Sequence, residues 1–166
     1  MNVALGYCVG LTAGAPTLDG NWHAPVWQDA ETLDIGLFHP RSSSHRPRTQ
    51  ARLLHDRRHI FLLFRVTDQY IRSAVQEHNG PVCTDSCVEF FVQPRRDCGY
   101  FNFEVNCGGW LHLSYVQDPT RMDDGDLSWR TLVPAGEAAA VGIYHSMPRL
   151  VPDEILERQI GRASCR

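Results

Sequence analysis

The chain has no apolar run approaching the roughly 20 residues that span a bilayer, so no membrane-crossing helix is expected. Its start lacks the basic stretch followed by an apolar one that marks a secretory leader, which places the expected location in the cytoplasm unless the true start lies upstream. An excess of positive charge is missing too. The net charge is −3, which speaks against nucleic acid as a partner, because phosphate binding needs a concentrated basic face. The local cluster of His39, Arg41, His45, Arg46 and Arg48 reads as a solvated loop. None of the six cysteines (Cys8, Cys83, Cys87, Cys98, Cys107 and Cys165) forms a Cys-x-x-Cys pair, so no structural zinc site is expected, and their spacing is not that of a dense disulfide framework. Buried free thiols are expected at Cys87 and Cys107, which close apolar strand patterns. Neither the Gly-x-Ser-x-Gly elbow, nor His-Glu-x-x-His, nor a phosphate or dinucleotide glycine loop occurs.

What is present is the material of one domain. The 166 residues, 43% hydrophobic, suffice for a buried core. That domain is placed at residues 1–159 and is expected to be incomplete at its C-terminal end. The segment Ile160-Gly-Arg-Ala-Ser-Cys-Arg166 reads as translated adapter, not natural sequence.

The periodicity is that of strands. Thr49–Leu54 and His59–Thr67 flank a turn at Asp56-Arg57-Arg58, with Ile60, Leu62, Phe64 and Val66 alternating along the second strand. Residues 68–84 form a long connection in which Gln69–Glu77 could make one or two helical turns. The clearest element is a hairpin of Asp85–Gln93 and Tyr100–Tyr115, joined through Pro94–Gly99, with Gly108-Gly109 marking a bulge. A polar loop follows at 117–126, and Glu137–Tyr144 and Arg149–Leu156 are weaker strand candidates. Many short strands separated by turn signals indicate an all-β, antiparallel β-sandwich.

In the hairpin, Val88, Phe90 and Val92 share a face with Phe101, Phe103 and Val105, and this face is assigned to the core. The other face carries Glu89, Gln93, Asn102, Glu104 and Asn106 together with aromatic residues. Arg65 and Thr67 could join it from a third strand, and Trp110 could lie at its rim as a stacking platform. Carboxylates accept hydrogen bonds from hydroxyls, and amides both donate and accept, so such a face suits a polyhydroxylated ligand. The alternative is an ordinary solvated sheet face. A further alternative is a glycosidase, because a carboxylate pair about 5 Å apart is the geometry of a retaining mechanism. A structural sandwich without any small ligand is the third. Trp22, Trp27 and Trp129 are assigned to the core. Asp118, Asp123, Asp124 and Asp126 resemble a calcium loop only loosely, and a solvated acidic loop is the simpler reading.

The segments Pro16-Thr-Leu-Asp-Gly-Asn-Trp22, Ala51-Arg-Leu-Leu-His-Asp56, Ile60-Phe-Leu-Leu-Phe-Arg-Val-Thr-Asp68, Asp85-Ser-Cys-Val-Glu-Phe-Phe-Val92 and Gly99-Tyr-Phe-Asn-Phe-Glu-Val-Asn106 together resemble the family 9 carbohydrate-binding modules, in the family's order over about residues 15 to 135. The resemblance implies an immunoglobulin-like β-sandwich that binds plant-type glucans or xylans without catalysis. It also implies association with carbohydrate breakdown, an extracellular setting, structural calcium of unassigned ligands, and sugar-contacting positions at Glu89 and Asn106. Two departures accompany it. Pro81-Val82-Cys83 stands where xylanase-attached members carry a stacking tryptophan, and Glu104 stands where they carry an arginine.

Overall fold

A computed structural model describes residues 6–121 and 127–132. The fold class is all-β, as expected of the β-sandwich class. Two four-stranded sheets account for nearly all regular structure, and the described helix is limited to two short 3-10 turns, Pro25–Trp27 and Val82–Thr84. Among the described residues no helix is long and apolar enough to cross a membrane. The chain divides into two compact units, Met1–Gln69 and Tyr70–Arg166, each carrying one sheet.

The first unit is organised around β3. Strands β1 (Gly10–Leu11), β2 (Leu33–Ile35), β3 (Arg48–His55) and β4 (Ile60–Thr67) form its sheet. β3 pairs in parallel with β1 and antiparallel with both β2 and β4, the last over its full length from Arg48 opposite Thr67 to His55 opposite Ile60. The β3–β4 turn closes on Asp56, whose Oδ1 accepts the amides of Arg58 and His59 at 2.9 and 2.7 Å while Arg57 takes a left-handed conformation. Leu54 from β3 packs with Trp27 and Ala30, and Phe61 and Leu63 from β4 close over them. The 3-10 turn that delivers Trp27 begins with Pro25, whose fixed φ suits a first helical position and whose missing amide leaves no donor unmet. Trp22 and Trp27 are buried, as the sequence suggests. The basic loop is tied back at His45, 2.9 Å from Asp68.

The second unit is a four-stranded meander of β5 (Cys87–Val92), β6 (Tyr100–Asn106), β7 (Leu111–Arg121) and β8 (Leu127–Leu132). Val88, Phe90 and Val92 stand opposite Val105, Phe103 and Phe101, and these in turn face Leu111, Leu113 and Tyr115. Phe101, Phe103 and Val105 pack on the buried pair Leu111 and Leu113, with tilted ring contacts at 6.2 Å between Phe90 and Phe103 and 5.0 Å between Phe101 and Tyr115. Phenylalanines and branched residues repeating every second position therefore build the core face. Gly99 precedes β6 at a point where no side chain fits: a Cβ there would lie 2.1 Å from the Val116 carbonyl oxygen. Its amide is held by the Tyr115 hydroxyl at 2.9 Å.

Three expectations need correction. Tyr100–Tyr115 is not one bulged strand. Cys107–Gly109 is a tight turn between β6 and β7, closed by the Gly109 amide on the Asn106 carbonyl, with Gly109 at φ 85°. Part of the expected polar loop at 117–126 belongs to β7, which runs on irregularly to Arg121. The segment 69–77 forms no helical turn, because its amides are taken elsewhere: Arg72 donates to the Ser86 hydroxyl and Ala74 and Val75 donate to the Asp85 carboxylate. The weaker strand candidates 137–144 and 149–156 lie outside the described residues.

Candidate functional site

Side chains alternate across a sheet, so the face opposite the phenylalanine core carries Glu89 and Phe91 from β5, Tyr100, Asn102 and Glu104 from β6, and His112 and Ser114 from β7. The register arranges them in rows. Glu89 stands opposite Glu104, and Glu104 opposite His112. Phe91 stands opposite Asn102, and Asn102 opposite Ser114. Directly opposed positions set their Cβ atoms about 4.5–5.5 Å apart.

The two carboxyls of the first row are in different surroundings. Asn102 donates its amide to Glu104 Oε1 at 2.7 Å. Glu89 is half-buried, and burial, followed by the charge of Glu104, pushes its carboxyl above the ordinary glutamate range. His112 is nearly buried, with Nδ1 3.3 Å from the Asn79 carbonyl, a contact that puts the ring proton on Nδ1. In the second row the Asn102 Oδ1 and Ser114 Oγ atoms are buried without a hydrogen-bond partner. Phe91, by contrast, is 54% exposed, with the Tyr100 ring 5.9 Å away at a tilt. One patch thus combines an exposed aromatic surface with hydrogen-bonding groups that have unused capacity, the composition of sites that bind polar rings.

Of the residues singled out from sequence, Glu89, Asn102 and Glu104 come together here. Trp110 follows the β6–β7 turn and is 38% exposed, its amide held by Asn106 Oδ1. Gln93 lies beyond β5 and donates to the Cys98 carbonyl. Two assignments change. Asn106 is buried, and all four of its hydrogen-bonding positions are filled: Nδ2 donates to the Val75 carbonyl and to Asp85, and Oδ1 accepts the amides of Gly108 and Trp110. It pins the turn and has nothing left for a ligand. Arg65 is on β4 in the first unit's sheet, not on a third strand beside β5. Its guanidinium donates to Gln50 Oε1 and stacks 4.4 Å from the Trp22 ring, whose second guanidinium neighbour is Arg52 at 4.5 Å. Thr67 shares that strand.

His112 and Ser114 were missed because the sequence pattern was followed only through the first hairpin. The signal was there, since Leu111 and Leu113 alternate with His112 and Ser114 as plainly as the preceding strand does. Among the described residues no group of three or more His, Cys, Asp or Glu is placed to hold a metal ion. Asp118, in the irregular end of β7, accepts the Thr120 amide, while Asp123, Asp124 and Asp126 lie outside the described residues. Trp129 is on β8 opposite Asp118. Cys87 and Cys107 are free thiols but only partly buried.

The model of carbohydrate-binding family 9 matches residues 26–126 of the chain. No curated protein matches it. Among solved structures, a candidate carbohydrate-binding protein from Bacteroides uniformis is similar at 25% identity and a TM-score of 0.63, over 77% of this chain and 56% of that one. The chain therefore spans little more than half the length of that relative.

Proposed function

The chain belongs to carbohydrate-binding family 9, and from that premise we propose that it holds an oligosaccharide on the polar face of β5 and β6, without catalysis. The observation that carries this reading is the exposed Phe91 lying in register beside the opposed pair Glu89 and Glu104. A pyranose ring presents a face of C–H groups and an edge of hydroxyls. The C–H face would rest on Phe91, with Trp110 a second platform, and the hydroxyl edge would donate to the two carboxylates. Asn102 fixes the Glu104 carboxylate, so one of the hydrogen-bonding groups is positioned before the ligand arrives, which lowers the entropy cost of binding. The ligand class that fits the family resemblance is a β-linked glucan or xylan, and the biological setting would be carbohydrate breakdown.

The test is calorimetric titration with cellobiose, xylobiose and longer oligosaccharides. Saturable heat with at least one of them, weakened in Phe91→Ala, is the expected result. A folded protein that is silent across the panel would overturn the reading.

One observation favours a second reading. Glu89, its carboxyl raised above the ordinary glutamate range by burial and by the charge of Glu104, stands directly opposite that second carboxyl, and two opposed carboxyls in unlike surroundings are what a glycosidase uses as acid and nucleophile. Turnover of an aryl glycoside that disappears in Glu89→Gln would establish that reading in place of simple binding.

A further inference from the structure

We infer that the sugar recognised by this face carries a protonated amine, so that its preferred ligand is an amino sugar and not a neutral hexose. The inference rests on the carbohydrate-binding reading of the same site and names the chemical class of its ligand.

The argument starts from the balance of donors and acceptors. On this face Glu89 offers two carboxylate oxygens and has no hydrogen-bond or ion-pair partner among the described residues. Glu104 has one oxygen engaged by Asn102 and the other available. Asn102 gives one of its two amide hydrogens to Glu104 and keeps the other, and its Oδ1, an acceptor, is buried and unpartnered. His112 directs Nδ1 away, to the Asn79 carbonyl. Ser114, 1% exposed and aimed to the same face, leaves its hydroxyl without a partner. Such a buried orphan in a well-packed strand calls for an explanation, and an absent ligand is one. Acceptors therefore outnumber donors at this face.

Charge points the same way. Two carboxylates on directly opposed strand positions repel, and an arrangement of this kind is destabilising unless a cation sits between them or one is protonated. Among the described residues no arginine forms an ion pair with either. The second unit's Arg72 is bound to Asp85, and Arg95 to Asp97 in the β5–β6 loop. His112 is the one titratable group facing Glu104 from β7, and β8 carries Arg130 in register with Val116. An ammonium group on the ligand would satisfy both carboxylates at once, donating to each, while the sugar ring lies against Phe91. A neutral sugar would leave the repulsion in place.

The experiment is titration of the full chain with three monosaccharides, glucose, glucosamine and N-acetylglucosamine, and with two disaccharides, cellobiose and the β-1,4 dimer of glucosamine. It is run at about pH 6, below the range in which α-amino groups lose their proton. The amine-bearing sugars are expected to bind at least about tenfold tighter than their neutral and acetylated counterparts, a difference of about 1.4 kcal/mol. That preference is expected to shrink with added salt and to vanish in Glu89→Gln and Glu104→Gln, whose folding is checked by thermal melting. Cellobiose binding as tightly as the glucosamine dimer overturns the amino-sugar inference and leaves carbohydrate binding intact. An amine preference that survives in both glutamine variants overturns the assignment to these carboxylates. Silence toward every sugar overturns the carbohydrate reading itself.

Discussion

Asn106 donates through Nδ2 to Oδ2 of Asp85 at 3.0 Å, and the two side chains are 2% and 1% exposed. Around this contact the second unit gathers its irregular backbone. Asp85 also takes the amides of Ala74 and Val75, and Asn106 takes those of Gly108 and Trp110. Arg72 Nε stands 3.1 Å from Asp85 Oδ1, close enough to pair by charge but off the direction of a hydrogen bond. Burial favours the neutral acid. The hydrogen bonds from Val75, Ala74 and Asn106 and the charge of Arg72 together outweigh it and hold the carboxyl below its ordinary value. A carboxyl depressed in the folded state contributes stability above its unfolded pKa and loses it as pH falls through the folded one. Asp85→Ala is expected to cost about 3 kcal/mol in urea unfolding. Asp85→Asn should flatten the acid limb of the Tm profile. A wild-type acid limb retained in Asp85→Asn would show that the latch is not what acid breaks.

Glu89 leads to the opposite sign. Its carboxyl is raised by burial and by Glu104, so the folded protein binds this proton more tightly than the unfolded chain does. The associated stability is complete below the ordinary glutamate pKa and is lost as pH rises through the folded value. Glu89→Gln removes the need to ionise a half-buried group beside a like charge. It is expected to raise Tm at about pH 7 and to leave it almost unchanged at about pH 4. Equal melting of the two proteins at both values would mean that the ionised pair carries no strain.

Much of this was legible in the sequence, and the failures have physical causes. Alternation of phenylalanine and valine with glutamate and asparagine identified both strands of the β5–β6 hairpin and the correct core face, because a one-residue slip would bury the glutamates. The same alternation put Asn106 on the polar face of the sheet, and the structure spends its side chain on the β6–β7 turn and Asp85. Alternation says which way a side chain leaves the strand and nothing about what a distant loop brings to meet it. Asp85 and Val75 meet Asn106 across 21 and 31 residues of chain, and no local pattern encodes that. Arg65 was misplaced for a related reason. Period-2 patterning finds strands but does not assign them to sheets, and β4 pairs with β3 alone among the described strands.

Gly99 gives a test of the close approach between β6 and β7. A methyl group there would meet the Val116 carbonyl oxygen at 2.1 Å and the Gln117 Cα at 2.8 Å, both backbone atoms that cannot rotate aside. Gly99→Ala is expected to cost roughly 3 kcal/mol in equilibrium unfolding, at the upper end of overpacking effects, by pushing the strands apart. A neutral result would mean that β6 begins further along the chain.

Phe91 and Phe103 separate function from stability most directly, because they sit on adjacent strands and opposite faces of one sheet. Phe103 packs on Leu111 and Leu113, so Phe103→Ala removes ring contacts from the core and is expected to cost about 3–5 kcal/mol. The fraction that remains folded should still bind sugar. Phe91 is 54% exposed and its described ring contact is with Tyr100, so Phe91→Ala should leave stability within about 1 kcal/mol of the parent. Loss of a stacking surface of that kind should weaken sugar binding by about tenfold. Chemical denaturation and titration on the two variants measure all four quantities. If Phe91→Ala unfolds the protein while Phe103→Ala abolishes binding in a stable one, the ligand face is the other side of the sheet, and the carboxylate pair is not its site.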